Sequence, residues 1–201
     1  MRVVVVDTGV GNVPNAVRGL ARAGADVALS ADPTAVRAAE RVVLPGVGAF
    51  PAGMAALRER GLDDAVREAA GRGAAVLGIC LGHQLLFESS DEFGRTAGLG
   101  LLAGSVTALP PVARVPHMGW SRLEPRRADP LLDGLGGDAW MYFVHSFAAV
   151  PTNGDLVASV RFGGAELAAV VRRGRVCGAQ FHPEKSGAAG ARFLANFLER
   201  V

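Results

Sequence analysis

An α/β fold with a mostly parallel central sheet and antiparallel additions in its C-terminal half is predicted for this 201-residue chain by three observations. Short apolar runs recur early in the chain, each followed by a turn, glycine-bearing in all but one case, and then a stretch with helical spacing, the alternation that builds parallel sheets. The run Ala74-Ala-Val-Leu77 is apolar without alternation, as a strand buried on both faces requires. Later strand-like segments follow one another without such helices and read as antiparallel. The length suits one domain, residues 1–201. Half of the residues are hydrophobic, enough for a substantial core, yet no run approaches the ~20 apolar residues of a membrane span.

The opening, Met1-Arg2-Val-Val-Val-Val-Asp7, is too short for a secretory segment and meets an acid at once, so it reads as a first strand. Cys80 and Cys177 lie far apart without a C-x-x-C pair, which argues against a zinc site and a disulfide framework and fits a reducing cytoplasm. The formal net charge is +2, and the arginines are scattered without interleaved aromatics, so no nucleic-acid footprint is expected. Lys185 is the only lysine.

Residues 3–7 form the first strand, and Thr8-Gly-Val-Gly-Asn12 turns into a helix over 13–23. Gly9 and Gly11 match half of a dinucleotide fingerprint, but Pro14 breaks the G-x-G-x-x-G frame and a plain β–α turn is expected. Residues 27–29 are a second strand, Asp32-Pro33 caps a brief helix, and Arg41-Val-Val-Leu44 is a third strand. That strand enters Pro45-Gly-Val-Gly-Ala-Phe50, where two glycines one residue apart allow a backbone approach that side chains would block. Val47 and Gly48 are candidates to donate amide N–H groups to an oxyanion. A helical hairpin follows, with Met54 and Leu57 on one helix and Leu62, Ala65, Val66 and Ala69 on the next, stopping at Gly71 and Gly73.

The apolar run from Ala74 enters Gly78-Ile-Cys-Leu-Gly82, and Leu81, Leu85, Leu86 and Glu88 continue at helical spacing. This G-x-C-x-G frame is the cysteine counterpart of the strand-to-helix nucleophile elbow. A free cysteine is ordinarily a small buried hydrophobe. Here the frame stands Cys80 at a sharp turn, at a helix start that favours a thiolate, and leaves the Leu81 N–H able to face an oxyanion.

Residues 89–100 are polar and glycine-containing, a loop in which Glu92 is either a solvated acid or a ligand for a substrate amine. Strand-like segments follow at 105–109, 140–144, 156–160, 168–171 and 176–179. Between them, Val115-Pro-His-Met-Gly-Trp120 is unusually apolar for a loop. The last strand enters Gln180-Phe-His-Pro-Glu-Lys-Ser186, and a final helix presents Phe193, Leu194, Phe197 and Leu198 to the core. Pro183 biases His182 toward an extended backbone, in which residues two apart share a side, so Glu184 can reach one imidazole nitrogen. Alone, H-P-E reads as a surface turn. With Cys80 and the Pro45 segment it completes a nucleophile, a base with its orienter, and an oxyanion hole.

These residues resemble the class I (triad) glutamine amidotransferases, in the Gly-Ile-Cys80-Leu-Gly-His-Gln block and in His182-Pro-Glu184. Within that class the chain is similar, over nearly its whole length, to the glutaminase subunit of imidazole glycerol phosphate synthase. The similarity is carried by Asp7-Thr-Gly-Val-Gly-Asn12, Pro45-Gly-Val-Gly-Ala-Phe50, Val115-Pro-His-Met-Gly-Trp120, Tyr142-Phe-Val-His-Ser146 and Gln180-Phe-His-Pro-Glu-Lys-Ser186. The resemblance implies a flavodoxin-like three-layer fold, Cys80 as the nucleophile toward the glutamine carboxamide, His182 as base and Glu184 as its orienter. It implies that Val47, Gly48 and Leu81 supply the oxyanion amides and that Gln84, Glu92, His145 and Ser146 bind the amino-acid end of glutamine, with no cofactor and no metal. It also implies that Asn12, Trp120, Tyr142 and Lys185 face a cyclase partner, a (β/α)₈ barrel, in a heterodimer that channels ammonia into histidine biosynthesis. A glutaminase subunit of another synthase, such as anthranilate synthase, and a catalytically silent regulatory subunit are the alternatives. His83, Ser121 and Phe147 stand where such relatives often carry Met, Asn and Tyr, and none of the three belongs to the triad.

Overall fold

In the computed structural model, which describes residues 1–9, 13–111, 114–152 and 154–201, the N-terminal valine run is strand β1 (Arg2–Val6). Because side chains alternate along a strand, Val3 and Val5 enter one core and Val4 and Val6 the other. The chain continues through α1 (Val13–Arg22), β2 (Asp26–Ser30), α2 (Pro33–Ala38), β3 (Arg41–Gly46), α3 (Phe50–Glu59), α4 (Leu62–Gly71) and β4 (Ala75–Cys80). As expected, Asp32 caps α2 by accepting from the Thr34 amide at 2.8 Å. Then come α5 (Leu81–Leu85), β5 (Phe87–Ser90), β6 (Thr96–Ala97), β7 (Leu102–Ala108), β8 (His117–Arg122) and β9 (Glu124–Pro125). The last elements are β10 (Trp140–His145), β11 (Phe147–Pro151), β12 (Leu156–Phe162), β13 (Ala165–Arg173), β14 (Val176–Ala179) and α6 (Gly187–Arg200), with a 3₁₀ turn at Pro183–Lys185.

The main sheet has the order β2-β1-β3-β4-β14-β13-β12-β9. Its β2, β1, β3, β4 and β14 are mutually parallel, and β13, β12 and β9 extend it antiparallel. One face packs against α1 and α6 through Leu20, Phe193 and Phe197, joined by Met141 and Phe143 of a β8–β10 ribbon. The other face is covered by α2 to α5 and, against β13, by a small sheet ordered β11-β7-β5-β6. Helices on both faces of a largely parallel sheet direct the active region to the carboxyl ends of β3, β4 and β14.

Four sequence expectations change. The helix after Cys80 stops at Leu85, and Glu88 lies in β5. The carbonyls of Leu85, Leu86, Phe87 and Glu88 accept hydrogen bonds from amides between Gly98 and Leu102, which draws the chain out of the helix. Residues 89–100 therefore contain the β5–β6 pairing as well as a loop. Strand β14, read among the antiparallel segments, pairs parallel to β4 and is antiparallel only to β13. The segment 115–120, read as an unusually apolar loop, enters strand β8, paired from His117↔His145 to Arg122↔Trp140.

Gly82 is held by a backbone approach. A Cβ there would lie 1.7 Å from the Leu44 carbonyl oxygen, and one at Gly78 would lie 2.5 Å from the carbonyl oxygen of Gly82. At Gly71, in α4, an added Cβ would meet nothing within 4 Å. Gly82→Ala is expected to remove the cooperative thermal transition seen by circular dichroism. Gly71→Ala should keep it and gain up to about 1 kcal/mol, since alanine favours helix over glycine.

Candidate active site

Cys80 is the pivot between β4 and α5. Its φ of 54° and ψ of −108° lie where non-glycine residues are rare, a strain of about 1–3 kcal/mol that the packing of Gly78 and Gly82 over-determines. The turn places the thiol on a cavity of about 340 Å³. Val47, Gly48, Leu81, Gln84, Glu92, His145, Ser146 and His182, all singled out by sequence, line that cavity with Cys80. Glu184 stands behind His182, outside it. Strand β3 ends at Gly46, which is in register with Cys80. Among the described residues, the Val47 and Gly48 amides just beyond have no backbone hydrogen-bond acceptor.

His182 is fastened to the ribbon through its backbone. Its amide donates to the Tyr142 carbonyl at 2.9 Å. The Ser186 hydroxyl donates to the His182 carbonyl at 2.6 Å and accepts from the Tyr142 amide at 3.0 Å. Its Nδ1 donates to Glu184 Oε1 at 2.8 Å, with both side chains almost wholly buried. The extended backbone expected of His182 is present, but Glu184 reaches the ring from a 3₁₀ turn and not from a continuing strand. Burial disfavours imidazolium, yet the interactions with Cys80 and Glu184 outweigh it and lift the His182 pKa to about 9. Its Nε2 is buried without a hydrogen-bond partner, so it is the nitrogen left to receive a proton.

The remaining wall is a hydrogen-bonded chain. His145 Nδ1 lies 2.8 Å from the Phe147 carbonyl, which can only accept, so Nδ1 carries the proton. Burial holds the His145 pKa down at about 4, so its Nε2 is unprotonated and accepts from His117 Nδ1 at 2.9 Å. Burial also lowers the His117 pKa, and its Nε2 accepts from the Ser121 hydroxyl at 2.8 Å. His145 therefore belongs to the cavity wall with both ring nitrogens occupied. Gln84 donates through Nε2 to the Phe147 carbonyl at 2.9 Å and to Gln180 Oε1 at 3.0 Å. Glu92 Oε2 accepts from the Phe50 amide at the start of α3 at 2.6 Å, leaving Oε1 for another donor. His117 and Ser121 were missed by sequence reasoning, because a segment read as a loop gave no face on which to place them.

Outside the cavity, β8 and β10 alternate. His117, Met141, Phe143 and His145 turn inward, whereas Met118, Trp120, Arg122 and Trp140 are exposed. Met118 is 63 %, Trp120 52 % and Trp140 50 % exposed, an apolar face of the kind that marks an interaction site. Tyr142 pairs across the ribbon with Trp120, ring centroids 6.0 Å apart, and Lys185 Nζ lies 5.7 Å from the Tyr142 ring centroid. Trp120, Tyr142 and Lys185 thus gather on one surface; Asn12 lies outside the described residues. Met118 and Trp140 join them, visible only once the segment is seen as a strand. Among the described residues no group of three or more His, Cys, Asp or Glu is arranged to hold a metal, and no helix is long and apolar enough to cross a membrane.

The family model for class-I glutamine amidotransferases matches residues 4–201. The chain is 47% identical over 200 residues to the imidazole glycerol phosphate synthase subunit HisH of Symbiobacterium thermophilum, covering 100% of this chain and 94% of that one. It is 46% identical to the subunit of the same name from Synechococcus elongatus, covering 100% and 94%, and 45% identical to that from Moorella thermoacetica, covering 99% and 95%. Among solved structures it is similar to a glutamine amidotransferase, with TM-score 0.77, 24% identity and coverage of 98% and 97%. It is also similar to PurLQS from Thermotoga maritima, with TM-score 0.73, 20% identity and coverage of 98% and 97%.

His83, three residues after Cys80, is fully buried with neither ring nitrogen partnered. Burial, with a smaller contribution from His145, lowers its pKa from 6.5 to about 3. The folded chain keeps this ring neutral while the unfolded chain protonates it, so stability is lost as pH falls from 6.5 toward about 3. His83→Met, packed on Phe87, should stabilise the fold by about 1–3 kcal/mol at neutral pH. It should also flatten the loss of stability in that acid window, as measured by denaturant unfolding at a series of pH values.

Proposed function

The chain belongs to the class-I glutamine amidotransferase family, and from that premise we propose that it hydrolyses glutamine to glutamate and ammonia as the glutaminase subunit of an imidazole glycerol phosphate synthase in histidine biosynthesis. The observation that carries this reading is the convergence of Cys80, His182, Val47 and Gly48 on one cavity, with Glu184 hydrogen-bonded behind His182. The relatives near 45% identity over whole chains support the same pathway.

In this reading His182 Nε2 takes the Cys80 proton, and the sulfur attacks the carboxamide carbon of glutamine. Glu184 holds Nδ1–H and stabilises the imidazolium, which the raised His182 pKa favours. The amides of Val47, Gly48 and Leu81 are the candidate donors to the oxyanion. Collapse expels ammonia, which takes its proton from His182, and leaves a thioester. Water, deprotonated by His182, then releases glutamate. Glu92 and Ser146 line the same cavity and, in this reading, bind the amino-acid end of the substrate.

The exposed ribbon face around Trp120, Tyr142 and Lys185 is the proposed docking surface for the cyclase subunit, a (β/α)₈ barrel, in a cytoplasmic heterodimer. One domain, residues 1–201, carries both this face and the active site. Ammonia passes to the cyclase without release.

Glutamate release should be weak for the isolated chain and rise by about 10²–10³ with the cyclase subunit and its nucleotide ligand, the value of one oxyanion donor brought into place. Cys80→Ala should abolish the stimulated turnover, and Glu184→Gln should lower it by about 10²–10⁴. Full activity of the isolated chain, or stimulated turnover in Cys80→Ala, contradicts the reading.

A further inference from the structure

A single carbonyl sets the orientation of a buried amide chain that ends at the nucleophile. The Phe147 carbonyl can only accept, so the Gln84 atom 2.9 Å from it is the amide nitrogen. The same nitrogen lies 3.0 Å from Gln180, so Gln180 presents its oxygen there and turns its NH₂ group the other way. That group faces Cys80, with Nε2 4.0 Å from Sγ. Gln180 is fully buried, just past the end of β14.

The surroundings of the sulfur give this donor a specific value. The Val144 carbonyl oxygen lies 3.9 Å from Sγ and suits the thiol, whose S–H can donate to it. Once the proton has gone to His182 and the electron pair stays on sulfur, that oxygen faces a negative charge and opposes it. The Gln180 N–H then becomes the favourable neighbour, since hydrogen bonds to charged acceptors are the strong ones.

We propose that Gln180 is a catalytic residue that donates a hydrogen bond to the Cys80 thiolate, with Gln84 the positioning residue that prevents its amide from flipping. This deepens the function proposed above and rests on Cys80 as the nucleophile. Gln84 has, on this account, a second duty besides lining the cavity.

The test is the pH dependence of Cys80 alkylation by iodoacetamide, with the adduct assigned to Cys80 rather than Cys177 by peptide mass mapping. In Gln180→Met the midpoint of reactivity should rise by about one pH unit relative to wild type, the size of one lost hydrogen bond to a charged group. Gln84→Met, which leaves Gln180 free to turn, should raise it by a smaller amount and keeps the test open if Gln180→Met does not fold. A midpoint unchanged in both variants overturns the role of Gln180. Stimulated glutaminase turnover that survives Cys80→Ala would instead overturn the nucleophile assignment, so the two failures are distinguishable.

Discussion

The active region depends on a contact between backbones, the carbonyl of Leu44 against the α-carbon of Gly82, where no side chain has room. That contact seats α5 against the ends of β3 and β4 and forces the reversal at Cys80, which carries a positive φ as a result. Everything reactive follows from which strands lie beside β4. On one side β3 is in register, Gly46 with Cys80, and delivers the Val47 and Gly48 amides. On the other side β14 runs parallel, Ala179 with Ile79, and delivers Gln180 and His182. Three adjacent parallel strands therefore bring the proposed hole, nucleophile and base together at their carboxyl ends, the edge at which open α/β sheets carry their ligands.

The electrostatics separate one histidine from three. Of the four histidines, His182 is raised in pKa by its interactions with Cys80 and Glu184, whereas burial lowers His83, His117 and His145. The carbonyl of Phe147 makes the neutral state of His145 specific, because it demands the proton on Nδ1 and so passes the donor role back through His117 to Ser121. A neutral wall avoids like-charge repulsion with the imidazolium that His182 becomes on taking a proton, where the local dielectric is low. His83 is the penalty of this arrangement, a buried ring with no partner.

What could be read from the chain was what is local. The valine alternation of β1, the Asp32 cap, the G-x-C-x-G frame and the two-residue spacing of His182 and Glu184 each lie within a few residues, and each is present. What could not be read depends on partners distant in sequence. Strand β14 looks like its antiparallel neighbours until β4 is placed beside it. Helix α5 ends early because amides more than ten residues onward capture its carbonyls. Strand β8 is disguised by Pro116 and Gly119, and with it went His117 and the exposed Met118. The Gln180 side chain acquires its orientation from Gln84 and Phe147, neither of which is near it in the chain.

The central claim is that Cys80 forms a covalent bond to the glutamine carbonyl carbon in this cavity. The most direct measurement is acid quenching of the chain, with its cyclase partner, during turnover of glutamine, followed by peptide mass mapping. The account predicts a glutamyl thioester on the peptide containing Cys80. Steady glutamate release with no adduct on Cys80, or with the adduct on Cys177, would contradict it.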